Sequence, residues 1–150
     1  ISYSYAMACD LTVMAESSYL FQPFVGIGLV PDGGATWLLP SLVGAKRAYE
    51  LMAFGEKLGA EKAVEWGLAN RMLPDDDFAE HAMSFAQELA GRSPMALRYA
   101  KEALAFAATH NLSDAISKEA ALQPLCIGSD DAKEAIKAFF EKRQPNWQGK

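Results

Sequence analysis

Residues 26–34 read GIGLVPDGG and place one acidic side chain, Asp32, between a proline and two glycines. Because glycine adopts positive φ angles and allows close backbone approach, the segment predicts a loop of defined shape. Apolar residues recur at helical spacing from Ala35 onward, so Asp32 is expected just before a helix. Such a carboxylate suits an acid or base in proton transfer, and it equally suits an N-cap of that helix. The spacing alone leaves both interpretations open.

Short extended segments precede the loop. Residues 11–15 predict a buried strand, and residues 16–18 have the composition of a turn. Residues 19–24 predict a second extended run, which Pro23 borders because proline cannot donate to a sheet ladder. The chain therefore reaches the loop from a strand region.

Helical periodicity follows the loop. Gly59 is expected to cap a helix over residues 60–66, and Gly67 is expected to end it. Residues 68–73 predict a last short strand. Because only about three short strands precede Pro74, this part of the chain does not look self-sufficient.

The composition beyond Pro74 is wholly helical. The acidic residues 75–77 favour the start of a helix that ends at Gly91. Three more helices are predicted: one from Ser93-Pro94, one over residues 112–127 and one after Ser129. The buried stripe of the second helix is expected to consist of Leu97, Ala100, Leu104 and Ala107. The chain is thus divided into residues 1–74 and residues 75–150.

Bulk composition excludes several classes of function. The formal charge of −5 and the pI near 5.0 give no general attraction to a phosphate backbone, so no nucleic acid partner is expected. No apolar run is long enough to cross a membrane and no export signal opens the chain, so a cytoplasmic protein without a membrane partner is predicted. Cys9 and Cys126 are expected to be small buried hydrophobes. His81 and His110 have no ligand partner at metal spacing, so no metal site is assigned.

Several short motifs, in order, resemble the enoyl-CoA hydratase/isomerase (crotonase) family. They are ACD at residues 8–10, QP at 22–23, the loop itself, LLP at 38–40, LVG at 42–44, AEKA at 60–63, WGLAN at 66–70 and AFFEKR at 138–143. The resemblance implies an α/β fold, a crotonase-like spiral of ββα units, of which residues 1–74 form the carboxy-terminal part. Residues 75–150 would form an α-helical trimerisation and CoA-contacting region, in a homotrimer or homohexamer. It also implies a further amino-terminal stretch, which would supply one oxyanion-hole amide.

The resemblance also indicates which residues carry chemistry. Members of the family hold a thioester carbonyl between two backbone amides, and the second amide would lie near Ile1 or Ser2. Matching the motifs places the two glutamates of the hydratases at Ser4 and Phe24, neither of which is an acid. Two-glutamate hydration is therefore disfavoured, and Asp32 is the remaining carboxylate of the loop. In some isomerases and dehalogenases of the family an aspartate at this position acts as base or nucleophile.

The same comparison predicts the substrate contacts. Ser4, Phe24, Gly33, Trp37 and Leu38 would line the acyl pocket, although core packing explains the apolar side chains equally well. Phe139 and Lys142 match positions that contact the CoA of a neighbouring subunit. A solvated basic helix end is an equally good interpretation of Lys142.

Three functions stay open. The first is an acyl-CoA isomerase most similar to the ring isomerases of the phenylacetyl-CoA pathway, which pair a phenylalanine near the position of Phe24 with GLVPDGG and WLLP. The second is a hydratase or another crotonase reaction, and the third is a catalytically silent acyl-CoA-binding subunit. The ligand in each case is an acyl-CoA thioester, and no cofactor is expected beyond the coenzyme A of the substrate.

Overall fold

The computed structural model describes residues 2–150, in which short strands alternate with helices before an all-helical carboxy-terminal part. The elements are α1 (Ser2–Ala8), β1 (Val13–Ala15), β2 (Tyr19–Leu20), α2 (Ala35–Val43), α3 (Ala45–Phe54), β3 (Leu58–Gly59), α4 (Ala60–Glu65), β4 (Arg71–Leu73), α5 (Phe78–Ala90), α6 (Pro94–Ala107), α7 (Leu112–Ile127) and α8 (Asp130–Glu141). They form two compact units, one ending at Ser84 and one running from Phe85 to Lys150. The functional division at Pro74 stays a prediction.

Two strand pairs organise the first unit. Strand β1 pairs in parallel with β4, with Met14 opposite Met72. The pair is extended at one end by Thr12, whose N–H donates to Asn70 Oδ1 at 2.8 Å while its carbonyl accepts from the Asn70 N–H at 2.7 Å. Strand β2 pairs antiparallel with β3. Strands β1 and β4 lie within the predicted segments at residues 11–15 and 68–73 but cover only the last three residues of each, and β3 is an additional strand.

The core of the first unit consists mainly of small and aliphatic side chains. Helix α2 packs on α3 and α1. Leu39 and Ala35 are fully buried on α2, and Ala48 is 1% exposed on α3. Because small buried side chains allow helices to pack closely, the start of α2, directly after the loop, is part of this core.

Side-chain caps begin three helices of the second unit, of which the cap at Ser93 was predicted. The Ser93 hydroxyl accepts from the Ala96 N–H at the start of α6, Asn111 caps α7, and Ser129 accepts from the Ala132 N–H at the start of α8. Each cap satisfies a backbone donor that has no partner inside its helix. The predicted starts of these three helices are confirmed.

The predicted buried stripe of α6 is wrong. Leu97 and Leu104 are 40% and 73% exposed, and Ala100 and Ala107 are exposed as well. Tyr99, together with Ala103 and Phe106, forms the half-buried face instead. Helix α6 packs on α7 through a neighbouring set of positions, because a wide apolar helix does not itself define which face its partner covers.

Two further expectations are settled by burial and helix composition. Cys9 is exposed and Cys126 is half-buried, so the expectation of two buried cysteines is wrong. Among residues 2–150, no helix has both the length and the apolar character needed to cross a membrane.

Candidate active site

The glycine loop has the defined shape that its sequence predicts. Phe24 begins a single 3-10 turn, and its carbonyl accepts from the Leu29 N–H at 2.9 Å. Gly28 ends the turn with φ of 76°, a left-handed conformation that residues with a Cβ adopt at a cost. Gly33 and Gly34 also have positive φ, at 62° and 84°. Three left-handed glycines therefore fix the path of the chain on both sides of Asp32.

A hydrogen bond from α1 fixes the loop at Asp32. The Ser4 hydroxyl donates to the Asp32 carbonyl at 3.0 Å, and the Ser4 side chain is 1% exposed. The same carbonyl accepts from the Ala35 N–H at 3.1 Å. The structure thus brings together Ser4 and Asp32, two of the residues that the sequence singles out, although they lie 28 residues apart.

The carboxylate of Asp32 does not cap α2. Gly34 occupies the N-cap position, and this cap has no side-chain hydrogen bond. Asp32 takes part in the turn through its carbonyl, and its side chain is exposed in this chain. The N-cap interpretation is therefore wrong.

The predicted pocket residues differ in their burial. Phe24 is half-buried at one end of the loop, and Gly33 is exposed at the bend. Trp37 is 68% exposed on the first turn of α2, so packing in the core of this chain does not account for it. Leu38 is half-buried and packs against the core. Asp32 and Trp37 are therefore the exposed acidic and the exposed large aromatic residue of this segment.

The position proposed for an oxyanion donor falls at the start of α1. Ser2 is the first residue of α1 and is exposed, whereas Ile1 lies outside the described residues. The first N–H groups of any helix have no partner within the helix. An amide at Ser2 therefore suits the donor role on geometric grounds, and the assignment stays a prediction.

The predicted CoA-binding residues lie at the end of α8, in the second unit. Phe139 is 79% exposed, and its ring meets that of Phe140 edge to face at 5.8 Å between centroids. Lys142 is exposed and adopts a left-handed conformation, with φ of 53°. That conformation costs a lysine roughly 1–2 kcal/mol relative to the right-handed one.

A charged cluster around α8 escaped the sequence-based prediction. Asp131 is only 2% exposed, and Glu134 contacts Arg143 through both carboxylate oxygens. A hydrogen bond from Arg143, followed by one from the Asn146 N–H, lowers the pKa of Glu134 to about 2. An acidic residue in a first helical turn normally indicates a favourable contact with the helix dipole at the surface, so the sequence held no signal for the burial of Asp131.

The chain belongs to the enoyl-CoA hydratase/isomerase family, whose family model matches residues 3–150. It is 39% identical to the "Probable enoyl-CoA hydratase" of Rhodobacter capsulatus over 97% of this chain and 56% of that protein. It is 36% identical to the 1,2-epoxyphenylacetyl-CoA isomerase of Escherichia coli over 97% of this chain and 55% of the relative. The chain therefore spans little more than half the length of these curated relatives.

A solved structure gives the same family and supports the crotonase-like α/β fold. The enoyl-CoA hydratase of Polaromonas superimposes with a TM-score of 0.92 at 31% identity, over 97% of this chain and 57% of that one. Both hydratases and an isomerase are thus similar to this chain. The ββα spiral and the trimerisation region stay predictions.

Proposed function

We propose that the full-length protein is an acyl-CoA isomerase that moves a proton next to a thioester enolate, with Asp32 as the acid and base. The observation that carries the proposal is the hydrogen bond from the buried Ser4 hydroxyl to the Asp32 carbonyl at 3.0 Å. Ser4 stands where the resemblance places a glutamate of the hydratases, and Asp32 is the acidic residue of the glycine loop in this chain. The main chain of the acidic residue therefore lies next to the position where the hydratases carry a glutamate, which supports Asp32 as the acid in this chain.

The chemistry requires one carboxylate and an oxyanion site. Asp32 would take a proton from the carbon next to the thioester carbonyl, and the electron pair of the broken C–H bond would pass to the carbonyl oxygen. Backbone amides, one of them near the start of α1, would stabilise the resulting enolate. Return of the proton to a carbon further along the acyl chain would shift the double bond and regenerate the carboxylate.

The surroundings of Asp32 support this role. Hydrogen bonds at its carbonyl from Ser4 and Ala35 fix the main chain, whereas the carboxylate contributes to neither bond. The Asp32 side chain is exposed in this chain of 150 residues, and the curated relatives are nearly twice as long. The proposal therefore concerns the full-length protein. The exposed Trp37 would provide one apolar wall for the acyl group.

A hydratase is the second candidate, favoured by the 39% identity to a protein of that name. A water molecule would then add across the double bond, with Asp32 supplying the proton transfer alone. This function is second because the chain has Ser4 and Phe24 where the resemblance places the two glutamates of the hydratases. A catalytically silent acyl-CoA binder is the third candidate.

Turnover of a 3-enoyl-CoA and of a 2-enoyl-CoA by full-length protein tests the proposal. We expect wild type to isomerise the first faster than it hydrates the second, and Asp32→Asn to lose roughly 100- to 10,000-fold in kcat for isomerisation, the range typical of a lost acid or base. Asp76→Asn, an exposed aspartate in the turn before α5, serves as the matched control and should retain wild-type rates.

The possible outcomes separate the three candidates. Equal isomerisation rates for wild type and Asp32→Asn would refute the proposed role of Asp32. Hydration of 2-enoyl-CoA as the dominant activity would establish the second candidate instead. Saturable binding without turnover of either thioester would establish the third.

The assembly and the remaining contacts belong to the same proposal. A homotrimer or homohexamer would place Phe139 and Lys142 of one subunit near the CoA of another, with the lysine ammonium close to a phosphate. The exposure of Phe139 on this chain supports such a contact. The expected cytoplasmic location stays a prediction.

A further inference from the structure

The last residues of the chain fold back along α8 and are held through their main chain. The buried Asp131 carboxylate accepts from the N–H groups of Gln148 and Gly149 at 2.6 and 3.0 Å. In return, the N–H groups of Asp130 and Asp131 donate to the Lys150 carbonyl at 3.0 and 3.1 Å. Residues 144–150 form this segment, the tail strap. Its contacts with Asp131 do not depend on the side chains of the strap.

A second set of contacts joins the tail strap to the end of α8. The Arg143 guanidinium donates to both carboxylate oxygens of Glu134, at 2.5 and 3.1 Å, and to Glu141 at 2.6 Å. Glu134 also accepts from the Asn146 N–H at 3.0 Å. Because a guanidinium and a carboxylate in this two-point geometry have one relative orientation, the pair fixes the direction of the chain after α8.

Lys142 lies between these fixed points in an unfavourable conformation. Its N–H donates to the Phe139 carbonyl at 3.3 Å, and the Arg143 N–H donates to the Ala138 carbonyl at 3.1 Å. This pattern ends a helix with a left-handed residue, a position that glycine usually occupies. A lysine persists there only when its surroundings hold it, and such strain concentrates at functional positions.

We propose that Asp131 and Glu134 are positioning residues, which hold the tail strap and Arg143 and thereby fix Lys142 in its left-handed conformation for contact with the CoA part of the substrate. The inference rests on the proposed function, since it assigns Lys142 to CoA. Neither carboxylate touches the substrate. They restrict the lysine backbone before binding, so that less conformational freedom is lost when the ammonium meets a phosphate.

Equilibrium binding of CoA and of pantetheine to full-length protein tests the inference without requiring turnover. Pantetheine lacks the nucleotide and all the phosphates of CoA. A lysine that contacts a phosphate therefore contributes to the affinity for CoA and not to the affinity for pantetheine. We expect Glu134→Gln to raise the Kd for CoA roughly two- to fivefold, the effect of a partly exposed ion pair, and to leave the Kd for pantetheine unchanged. Arg143→Lys should behave in the same way, because lysine keeps the charge but loses the two-point geometry.

Matched variants separate positioning from folding. Asp131→Asn should weaken CoA binding and increase hydrogen exchange in residues 146–149. Asp130→Asn removes the same charge from the neighbouring exposed position, where the carboxylate accepts a hydrogen bond from Lys133 and only a minor electrostatic effect links it to Lys150, and it should leave both measurements close to wild-type values. Lys142→Gly should relieve the strain and raise the thermal midpoint while weakening CoA binding, a combination that a purely structural role does not produce.

Each result decides one question. Wild-type affinity for CoA in Glu134→Gln and Asp131→Asn would overturn the inference and leave the role of Asp32 untouched. Equal losses for CoA and pantetheine would also overturn it, because they would indicate general unfolding. Weaker CoA binding in these variants, in a protein that turns over no enoyl-CoA, would support the inference and refute the isomerase. Failure of the wild type to bind CoA would overturn the inference, whereas turnover of the enoyl-CoA substrates decides the isomerase.

Discussion

Ser4 shows how one side chain serves the candidate site through its position. Its hydroxyl donates to the Asp32 carbonyl from helix α1, 28 residues earlier in the chain, and Ser4 is 1% exposed. The residue has no useful acidity, so its contribution is to hold the main chain of the loop.

We expect Ser4→Ala to lower the free energy of unfolding by about 1 kcal/mol, the net contribution of one buried hydrogen bond. The Asp32 carbonyl keeps the Ala35 N–H as a donor, which limits the loss. Ser41→Ala is the matched control, because Ser41 donates to the Leu38 carbonyl within one exposed helix turn. Denaturant unfolding should show a small change for Ser41→Ala. Equal losses in the two variants would contradict the special position of Ser4.

At the scale of elements, the start of α2 depends on glycine. Gly34 is the N-cap at φ of 84°, and a Cβ there would meet only Leu38 Cδ1 at 3.6 Å, so conformation rather than space excludes other residues. Gly34→Ala should cost roughly 1–2 kcal/mol in unfolding free energy. Gly26→Ala provides the comparison in the same loop, because its Cβ would have no neighbour within 4 Å. It should be neutral or slightly stabilising, and a loss as large as that of Gly34→Ala would refute this explanation.

The elements differ in how well the sequence predicts them. Caps and breakers made the helix ends predictable, as at Ser93, Ser129 and Gly67, because each is a local chemical requirement. Strand β3 was missed, since two residues carry no periodicity and it exists only through pairing with β2. The side of α6 that its partner covers was also missed, because that choice depends on α7.

The same distinction holds for the site. The glycines and Asp32 indicated a shaped, acid-bearing loop, and the structure contains that shape. The bond between Ser4 and Asp32 required the packing of α1 against α2, which no local pattern encodes. The tail strap was unpredictable for a similar reason. Its contacts with Asp131 involve main-chain N–H groups, which are the same in every sequence.

At the scale of the whole molecule, Tyr3 gives stability a dependence on alkaline pH. Its hydroxyl is buried and has no hydrogen-bond partner among residues 2–150, and burial raises its pKa from 10.0 to about 12. Since the folded pKa exceeds the unfolded one, this contribution is complete below pH 10 and is lost as the pH rises from 10 towards 12. Alkaline conditions should therefore weaken the fold through Tyr3.

Tyr3→Phe should remove that part of the alkaline loss, because the substitution leaves no group to ionise. It should also be neutral or stabilising at pH 7, by up to about 1 kcal/mol, since a buried polar atom without a partner is replaced by an apolar one. Denaturant unfolding at several pH values from 7 to about 12 measures both effects. Tyr5→Phe, at a 63% exposed position of the same helix, should keep the wild-type slope. An identical slope in Tyr3→Phe would contradict the assignment.

The parallel pairing of β1 with β4 has a consequence for synthesis in the cell. Thr12 next to β1 and its partner Asn70 next to β4 are separated by 58 residues. At ordinary rates of translation, β1 leaves the ribosome roughly 3 to 12 seconds before this partner does. During that interval β1 lacks its partner β4, so its backbone N–H and C=O groups are unpaired. An unpaired strand edge can associate with other nascent chains. Slowing of translation between the two segments should therefore favour aggregation or chaperone capture.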